Sequence, residues 1–430
     1  MDSLSVTNIS WHPAKKFLFR FFFTYFLIYC FPFPIDAFEF TKPVVQPFYK
    51  FLDWLIPYIA DKWFHLHAIL SFPMFDKMDD SNYGLAFIYF NIIISSVVAI
   101  TWSLLDRRTT NYEKLYQWLR FYLRYYLAAY LFGYGFVKVF PSQFQAITAS
   151  RLSLSVGEQS PMLLAWNFMG YSVVMMRING IAEVLAGLLL LFRRTTTIGT
   201  ILSSCVFSFI VMMDFCFNVP VRLFSSHLLI ISIFLVLEDR RKLLNIFLLN
   251  KPANSTVYLP LINHSAWRKA FLVLQTLLAI SILYSGISSA LEAEKEYGWN
   301  SNSKKVPLYG VYNAAYFIRN RDTIPPIETD SLRWKQLVID GSNWKQSGII
   351  EFGTGKKLFC NIEVDTVKKI IKVQSQSDTT ENYLLYYFTQ KGNDILLRGT
   401  WKKDSIEVLM NKYDLNNYLL YREKFTWITE

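Results

Sequence analysis

The stretch NGIAEVLAGLLLLFRRTTTIG, from Asn179 to Gly199, decides the class of this protein. It has the composition of a membrane-spanning helix followed by a basic turn, yet it contains the carboxylate of Glu183. An ionisable side chain near the centre of a bilayer costs roughly 2.5–3.5 kcal/mol on insertion scales. We therefore expect Glu183 to have a function or a polar partner. Asn179 lies four residues earlier, on the same helix face.

The overall composition is also that of an integral membrane protein. Of the 430 residues, 53% are hydrophobic and only 18% are charged, whereas soluble globular chains carry about 25% charged residues. The net charge of +11 does not require a nucleic-acid partner, because cytoplasmic loops of membrane proteins are enriched in Lys and Arg. The lipid bilayer is the partner that the composition predicts.

Seven hydrophobic segments are predicted as transmembrane helices, since about 20 apolar residues cross about 30 Å of hydrocarbon. The first has a basic start, as a signal peptide does, but no small-residue cleavage site follows it. We interpret it as an uncleaved anchor. The seven segments are Phe17–Ile35, Gly84–Leu105, Trp118–Phe140, Ser172–Phe192, Thr196–Phe217, Val221–Leu237 and Ala270–Leu291.

Basic residues concentrate at the amino terminus and in alternate loops, which predicts the orientation. The pairs Arg107-Arg108, Arg193-Arg194 and Arg240-Arg241 all fall on one side of the seven segments, and by the positive-inside rule that side is cytoplasmic. The loop after the first segment is acidic instead, with Asp36, Glu39, Asp53, Asp61, Asp76, Asp79 and Asp80. We predict a cytoplasmic amino terminus and an external carboxyl-terminal segment.

From about Val306 onward the sequence changes to short alternating runs separated by turn signals such as Asp340-Gly341. This pattern predicts an antiparallel β-barrel or sandwich of about 120 residues. The segment has no histidine and one cysteine, Cys360, so it cannot contain a Ser–His or Cys–His nucleophile pair of its own. We interpret it as a binding or docking module.

Counting from the charged residues at the cytoplasmic edge places two ionisable groups at similar depths. Glu183 is ten residues before Arg193, which is roughly 15 Å along a helix, and His227 lies at about the same depth before Glu238. We predict that both are catalytic residues facing one polar pocket that opens outward. The predicted ligand-binding residues lie nearer its outer mouth and are Lys138, Asn179, Asp214, Asn218 and Arg222.

Each of these residues also has a purely structural interpretation. Lys138 and Arg222 could extend to the membrane interface, as long basic side chains do. His227 could be a hydrogen-bonded core histidine, and Asp214 a hydrated residue at the rim. Glu183 could form a hydrogen bond between helices, since Gly180 and Gly187 allow close helix packing around it.

Signals for metals and most cofactors are weak. His65 and His67 form an isolated H-x-H in an aromatic outer segment, Gln46–His67, which we interpret as an interfacial helix. No metal site is predicted. Only His227 lies within a hydrophobic segment, which argues against a haem held by two histidines. No C-x-x-C motif and no phosphate-binding loop occur. A quinone remains a candidate cofactor.

The stretch RYYLAAYLFGYGFVKVF (Arg124–Phe140), followed by the Asn179–Leu202 stretch, resembles the DoxX family of small four-helix membrane proteins. The shared pattern is Gly135 and Lys138 ending one helix, then a G-x-x-E-x-x-x-G core around Glu183 in the next. The stretch NVPVRLFSSHLLIISIFLVL fits the last helix, so the resemblance covers about Trp118–Leu249.

The resemblance implies an inner-membrane protein of bacteria, of the longer Bacteroidetes-like variety with extra helices and a periplasmic β domain. The expected regions are 1–117, an amino-terminal membrane region; 118–250, a DoxX-like four-helix bundle; 251–300, a seventh helix and connector; and 301–430, the β domain. DoxX relatives are associated with a terminal quinol oxidase and with a thiosulfate:quinone oxidoreductase.

Three functional hypotheses follow. In the first, the chain is a redox subunit that binds a quinone or a small sulfur anion. Glu183 or His227 transfers protons, and Lys138 and Arg222 attract the anion. In the second, it is a non-catalytic scaffold or assembly protein whose β domain docks a periplasmic or membrane protein. In the third it is a transporter, against which the lack of an inverted repeat argues.

Overall fold

The computed structural model describes residues 10–66, 80–252, 261–262, 264–298, 306–342, 345–378 and 382–423. His67 of the H-x-H pair and the acidic loop residues Asp76 and Asp79 lie outside these ranges. The chain forms two compact units, Met1–Phe140 with Val174–Glu292 and Pro141–Val173 with Ala293–Glu430. The expected region 118–250 is therefore divided: its residues 118–140 and 174–250 belong to the first unit, and its segment 141–173 belongs to the second, with the β domain.

The described helices include one for each of the seven hydrophobic segments. In chain order they are α1 (Pro13–Cys30), α2 (Lys42–Phe64), α3 (Asn82–Leu105), α4 (Glu113–Val139), α5 (Ala149–Leu152), α6 (Pro161–Tyr171), α7 (Val173–Leu191), α8 (Thr196–Cys216), α9 (Arg222–Val236), α10 (Arg240–Phe247), α11 (Ser265–Tyr297) and α12 (Leu419–Arg422).

Several of these helices are suited to a membrane, as the composition predicts. Within the described residues, five are long and apolar enough to cross one: they contain α1, α3, α7, α8 and α11. The other two predicted spans are helical, but one is too short and the other too polar to be counted with these five. Helix α9 has only 15 residues, and α4, with 27 residues, carries five charged side chains from Glu113 to Lys138. The sequence-based number of seven spans therefore remains a prediction.

Aromatic side chains form much of the core of the helical unit. Phe26 of α1 is almost fully buried and packs edge-to-face on Phe234 of α9 with ring centroids 5.2 Å apart. Near the start of α1 the buried Arg20 donates to the Ser103 hydroxyl at 2.7 Å and, through Nε, to the Tyr112 hydroxyl at 3.0 Å. The buried guanidinium is thus hydrogen-bonded, as a charge removed from water requires.

The outer aromatic segment forms helix α2, which contains Pro47 and Pro57 and ends at His65 in a left-handed conformation. Trp54, Tyr58 and Trp63 are all more than half exposed on this helix. Amphipathic aromatic side chains of this kind are typical of the membrane–water interface. The predicted helix is therefore confirmed, and its place at the membrane interface stays a prediction.

The carboxyl-terminal domain is a closed antiparallel β-barrel, which resolves the predicted choice between barrel and sandwich. Each long strand pairs with the next along the chain, and β1 pairs with β9 to close the sheet. The two-residue strand β2 pairs with β1 outside the ring of eight. The strands are β1 (Gly310–Arg319), β2 (Asp322–Thr323), β3 (Trp334–Ser342), β4 (Lys345–Phe352), β5 (Lys357–Asp365), β6 (Ile370–Ser375), β7 (Asn382–Thr389), β8 (Ile395–Trp401) and β9 (Asp404–Tyr413).

Part of the outer barrel surface is covered by segment 141–173. The apolar outer faces of β1, β3 and β4 pack against Ala149 and Leu154. The Ala149 amide donates to the Tyr309 hydroxyl at 3.0 Å, and Lys357 forms an ion pair with Glu158 at 2.6 Å. These contacts explain why segment 141–173 belongs to the same compact unit as the barrel.

Candidate functional site

Glu183 is buried and forms an ion pair with Lys138. The Lys138 Nζ lies 2.7 Å from Oε1 and 2.8 Å from Oε2 of the carboxylate, and both side chains are less than a tenth exposed. Lys138 therefore does not extend to the membrane interface. Its ammonium group bridges both carboxylate oxygens and also approaches the Tyr134 carbonyl at 3.4 Å.

Glycines bring the two helices close enough for this pair. A Cβ added at Gly180 of α7 would lie 2.6 Å from the Gly135 carbonyl oxygen and 2.8 Å from the Val139 amide nitrogen of α4. One at Gly187 would lie 2.9 Å from the Phe132 ring. Small residues permit such backbone contact between helices in membranes. The G-x-x-E-x-x-x-G pattern thus encodes a close helix contact with an ion pair beside it.

His227 has partners on a different helix from those of Glu183. Its Nδ1 is 2.6 Å from the Leu223 carbonyl oxygen, and its Nε2 is 2.6 Å from the Tyr25 hydroxyl on α1. A carbonyl can only accept, so Nδ1 carries the proton and Nε2 accepts from Tyr25. The imidazole also stacks on Tyr29 with centroids 4.2 Å apart. The described hydrogen bonds thus join His227 to α1, and they do not join it to Glu183.

Arg222, at the start of α9, forms an ion pair with Asp80, which precedes α3. Its Nε is 2.6 Å from the Asp80 Oδ2. The same carboxylate accepts the backbone amides of Arg222 at 3.1 Å and Leu223 at 2.8 Å. Asp80 therefore caps the amino terminus of α9 from a distant part of the chain, where carboxylates are favourable. Sequence reasoning counted Asp80 only as an acidic loop residue. The available signal was that Asp80 and Arg222 are both predicted to lie at the outer side of the membrane.

Asp214 is the buried carboxylate that lacks a complete set of partners. Its side chain is 6% exposed, and its Oδ2 atom has no hydrogen-bond partner among the described residues. It interacts electrostatically with Lys138, Arg222 and Asp80, and Ser225 is a polar neighbour. Asp214 is therefore buried rather than a hydrated rim residue, and it lies within the field of both ion pairs.

The two predicted asparagines occupy different environments. Asn179 is half-buried on α7, one turn before Glu183. Asn218 is exposed and adopts a left-handed backbone with φ of 54° just after α8. The following amide, Val219, donates to the Asp214 carbonyl at 2.9 Å. Asn218 therefore has a helix-ending role, because asparagine tolerates this conformation better than most residues.

A tyrosine cluster on α4 was not anticipated from the sequence. Tyr126 and Tyr130 on α4 pack with ring centroids 4.9 Å apart, and Tyr130 contacts Phe224 of α9. Tyr122, one turn earlier, donates to the Phe33 carbonyl at 2.8 Å. The four-residue spacing of these tyrosines on α4 was the signal that could have located the cluster, since such residues share a helix face.

The described residues offer little for metal or thiol chemistry. They contain no group of three or more His, Cys, Asp or Glu side chains that could hold a metal ion. Burial raises the pKa of the Cys360 thiol in the barrel to about 12. A thiol is a nucleophile only as the thiolate, so Cys360 is unreactive at neutral pH.

Comparison with known proteins gives one informative similarity. The chain is 34% identical over 113 residues to the uncharacterized protein YwoB of Bacillus subtilis (strain 168), and this match spans 26% of the chain and 71% of YwoB. No family model matches the chain, and no solved structure matches it.

Proposed function

Because this chain belongs to the same family as YwoB, whose name assigns no activity, we propose a function for it from its own geometry. It is a multi-pass scaffold of the bacterial inner membrane whose helices anchor the β-barrel in the periplasm, where the barrel docks a partner protein. Within this proposal, Trp118–Leu249 is a DoxX-like bundle that serves as the anchoring framework.

The observation that carries the proposal is the internal pairing of the candidate catalytic groups. Glu183 is neutralised by two short contacts from Lys138. His227 donates through one ring nitrogen and accepts through the other. Groups satisfied in this way hold helices together, and a proton transfer to a substrate would first have to break their hydrogen bonds. This favours a framework over a reactive site.

The barrel also offers a surface for a partner. Outward-facing Leu384, Tyr386 and Phe388 alternate along β7 and are each more than two-fifths exposed. The nearest charges on the flanking strands are already paired, Lys372 with Glu363 and Arg398 with Glu407. A neutral apolar stripe fits a protein partner with an apolar surface. Apolar outer faces elsewhere on this barrel are covered by the chain's own Ala149 and Leu154.

We expect a photoreactive benzoylphenylalanine at Tyr386 to crosslink, in intact cells, to one discrete protein. The same group at Val367, which is 90% exposed in the β5–β6 turn, serves as the control and should not capture that protein. Tyr386→Asp should also abolish the association, since a charge would have to be desolvated in an apolar contact. Equal capture at both positions, or none, would contradict docking on this face.

Contacts between helix ends support the predicted topology. Two residues that touch outside the membrane must be separated along the chain by an even number of membrane crossings. Asp80 precedes α3 and pairs with Arg222, which begins α9, so an even number of helices crosses between them. Helices α3, α4, α7 and α8 give four crossings, whereas omitting the charged α4 gives three. Lys16, near the start of α1, donates to the Thr109 carbonyl after α3 at 2.8 Å. That contact is consistent with an α2 that does not cross.

By the same reasoning, a second contact supports a membrane crossing by the short helix α9. The Ala149 amide lies after α4 and donates to the Tyr309 hydroxyl just before the barrel, so both belong on one side of the membrane. Helices α7, α8, α9 and α11 provide four crossings between them, and without α9 there would be three. If all seven segments cross and the basic loops lie inside, the barrel lies in the periplasm.

We expect a reporter that is active only outside the cytoplasm to give signal when fused after Glu430 and none when fused after Arg241. A fusion after Ser155 should also be active, because segment 141–173 shares a unit with the barrel. Expression of each fusion, measured by immunoblot, is the control. Activity after Arg241 and silence after Glu430 would reverse the proposed orientation.

A redox subunit is the second candidate function, and Asp214 is the observation that favours it. A buried carboxylate oxygen without a partner, close to two ion pairs, could accept a hydrogen bond from a quinol hydroxyl. Organic extraction of the purified protein distinguishes the two functions. A scaffold should release no more quinone than an equal mass of unrelated membrane protein, whereas a stoichiometric quinone lost in Asp214→Asn would overturn the scaffold proposal.

A further inference from the structure

The interior of the β-barrel has a polar feature that docking on its outer surface does not use. Eight strands enclose a space just wide enough for packed side chains or for one small ligand. Most of the buried interior is apolar, with residues such as Ile339, Leu397 and Val408. At one end, however, three aromatic residues with polar groups gather.

Trp334 begins β3 and Trp401 ends β8, and their rings meet edge-to-face with centroids 5.0 Å apart. Tyr383 of β7 packs on Trp401 with centroids 4.2 Å apart. Strand registers place these residues at the same end: Trp334 pairs with Phe352, and Trp401 pairs with Asp404 at the adjoining hairpin. We refer to Trp334, Tyr383 and Trp401 as the aromatic end of the barrel.

Both indole N–H groups at the aromatic end are buried without a partner. Trp334 is 0% and Trp401 3% exposed, and neither Nε1 atom has a hydrogen-bond partner among the described residues. A buried donor that is left unsatisfied costs about 1–3 kcal/mol. Phenylalanine would keep an aromatic ring at these positions without an unsatisfied donor. Two such donors side by side therefore indicate an acceptor from outside the chain.

A buried cation lies next in sequence to these donors. Arg333 is 5% exposed, and its guanidinium donates to the carbonyls of Ile324 at 3.2 Å and Trp334 at 3.3 Å. The neighbouring Asp330 carboxylate accepts backbone amides from Leu332 and Arg333 and also interacts electrostatically with the Arg333 guanidinium. The aromatic end thus combines indole donors with a nearby positive charge, and an anionic acceptor complements both.

We propose that the aromatic end of the barrel binds one small apolar molecule that ends in a carboxylate. The carboxylate accepts from the Trp334 and Trp401 indoles, and the apolar body packs against the interior side chains. Arg333 contributes its charge nearby, which favours an acid over a neutral alcohol. This site is independent of the docking stripe on β7, so either can fail without the other.

The test is a calorimetric titration of octanoate into the full chain in phosphatidylcholine nanodiscs, with empty nanodiscs as the background. We expect saturable binding at one site per chain. The double variant Trp334→Phe/Trp401→Phe should bind at least tenfold more weakly, because both indole donors are lost while the aromatic packing is kept. Trp267→Phe, at an exposed position of α11, is the matched control and should leave binding unchanged.

Circular dichroism and thermal melting of the same variants show whether the barrel is intact. The Phe variants should still melt cooperatively, because the removal of an unsatisfied donor offsets part of the cost of the smaller ring. If the double variant does not fold, each single variant carries the test, with at least a threefold loss expected. 1-Octanol should bind at least tenfold more weakly than octanoate.

Three results would overturn the proposal. The first is octanoate binding no greater than that of empty nanodiscs. The second is equal octanoate affinity in folded Phe variants and the parent, which would show that the indoles are only core packing. The third is equal affinity for 1-octanol and octanoate, which would exclude recognition of the carboxylate.

Discussion

Lys138→Met and Glu183→Leu, each made alone, are expected to destabilise the helical unit by about 3–5 kcal/mol, because each leaves an uncompensated buried charge. The double variant should recover most of this loss. Replacing a whole buried ion pair by apolar side chains is often neutral or stabilising. A double-mutant cycle in mixed micelles, with the free energy of unfolding as the readout, measures the coupling between the two residues.

The matched control for this cycle is Lys335→Met in the barrel. Lys335 pairs with Glu351 at 2.7 Å, but its side chain is 60% exposed, and exposed pairs contribute less than about 1 kcal/mol. The same chemical change should therefore have a much smaller effect there. Single variants at Lys138 or Glu183 that unfold like the parent would contradict a buried pair.

The cycle also bears on function. As a scaffold, the refolded Lys138→Met/Glu183→Leu protein should still crosslink its partner through position 386, because only packing has been exchanged. As a proton-transferring redox subunit, it should fold and yet lose its activity. The double variant is informative where Glu183→Gln alone is not, because glutamine would leave the Lys138 ammonium buried without a counter-charge.

Gly180→Ala is expected to have the second large effect, a loss of about 1–3 kcal/mol from overpacking. Its Cβ would meet the Gly135 carbonyl oxygen at 2.6 Å and the Val139 amide nitrogen at 2.8 Å. Both are backbone atoms, which cannot rotate away as a side chain can. Helix α7 would have to move from α4, and the Lys138–Glu183 contacts would lengthen as it did.

Gly133→Ala on α4 is the matched control, since a Cβ there would meet nothing within 4 Å. Alanine is favoured over glycine within a helix by about 1 kcal/mol, so this variant should be neutral or more stable. The same one-methyl change is thus expected to have opposite signs at the two positions. The measurement is the melting temperature of each variant relative to the parent protein. Equal changes in melting temperature for the two variants would argue against close contact between α4 and α7.

The local composition of the sequence was sufficient to identify the building blocks. Runs of apolar residues located helices such as α3 and α8, and alternation located strands such as β7, with Tyr383, Leu385 and Tyr387 facing inward. Hydropathy and alternation depend on residues a few positions apart, so they can be recognised in the sequence. Closure of the sheet through β1 and β9 cannot be predicted from such local patterns, because it joins strands about 100 residues apart.

The partners of the charged groups were decided by tertiary structure. Counting residues from the basic loops estimates how deep Glu183 and His227 lie, but it does not say which way each side chain points around its helix axis. The structure turns Glu183 toward Lys138 on α4 and His227 toward Tyr25 on α1, 202 residues away.

The sequence by itself therefore determined where the helices and strands lie, and it singled out the carboxylate of Glu183. Only the tertiary structure decided that this carboxylate is held by Lys138 and that Arg222 is paired with Asp80. The physical reason is that hydropathy and periodicity are properties of a segment. Charge pairing depends on the rotation and approach of whole helices, which glycines such as Gly135 and Gly180 set through backbone contact.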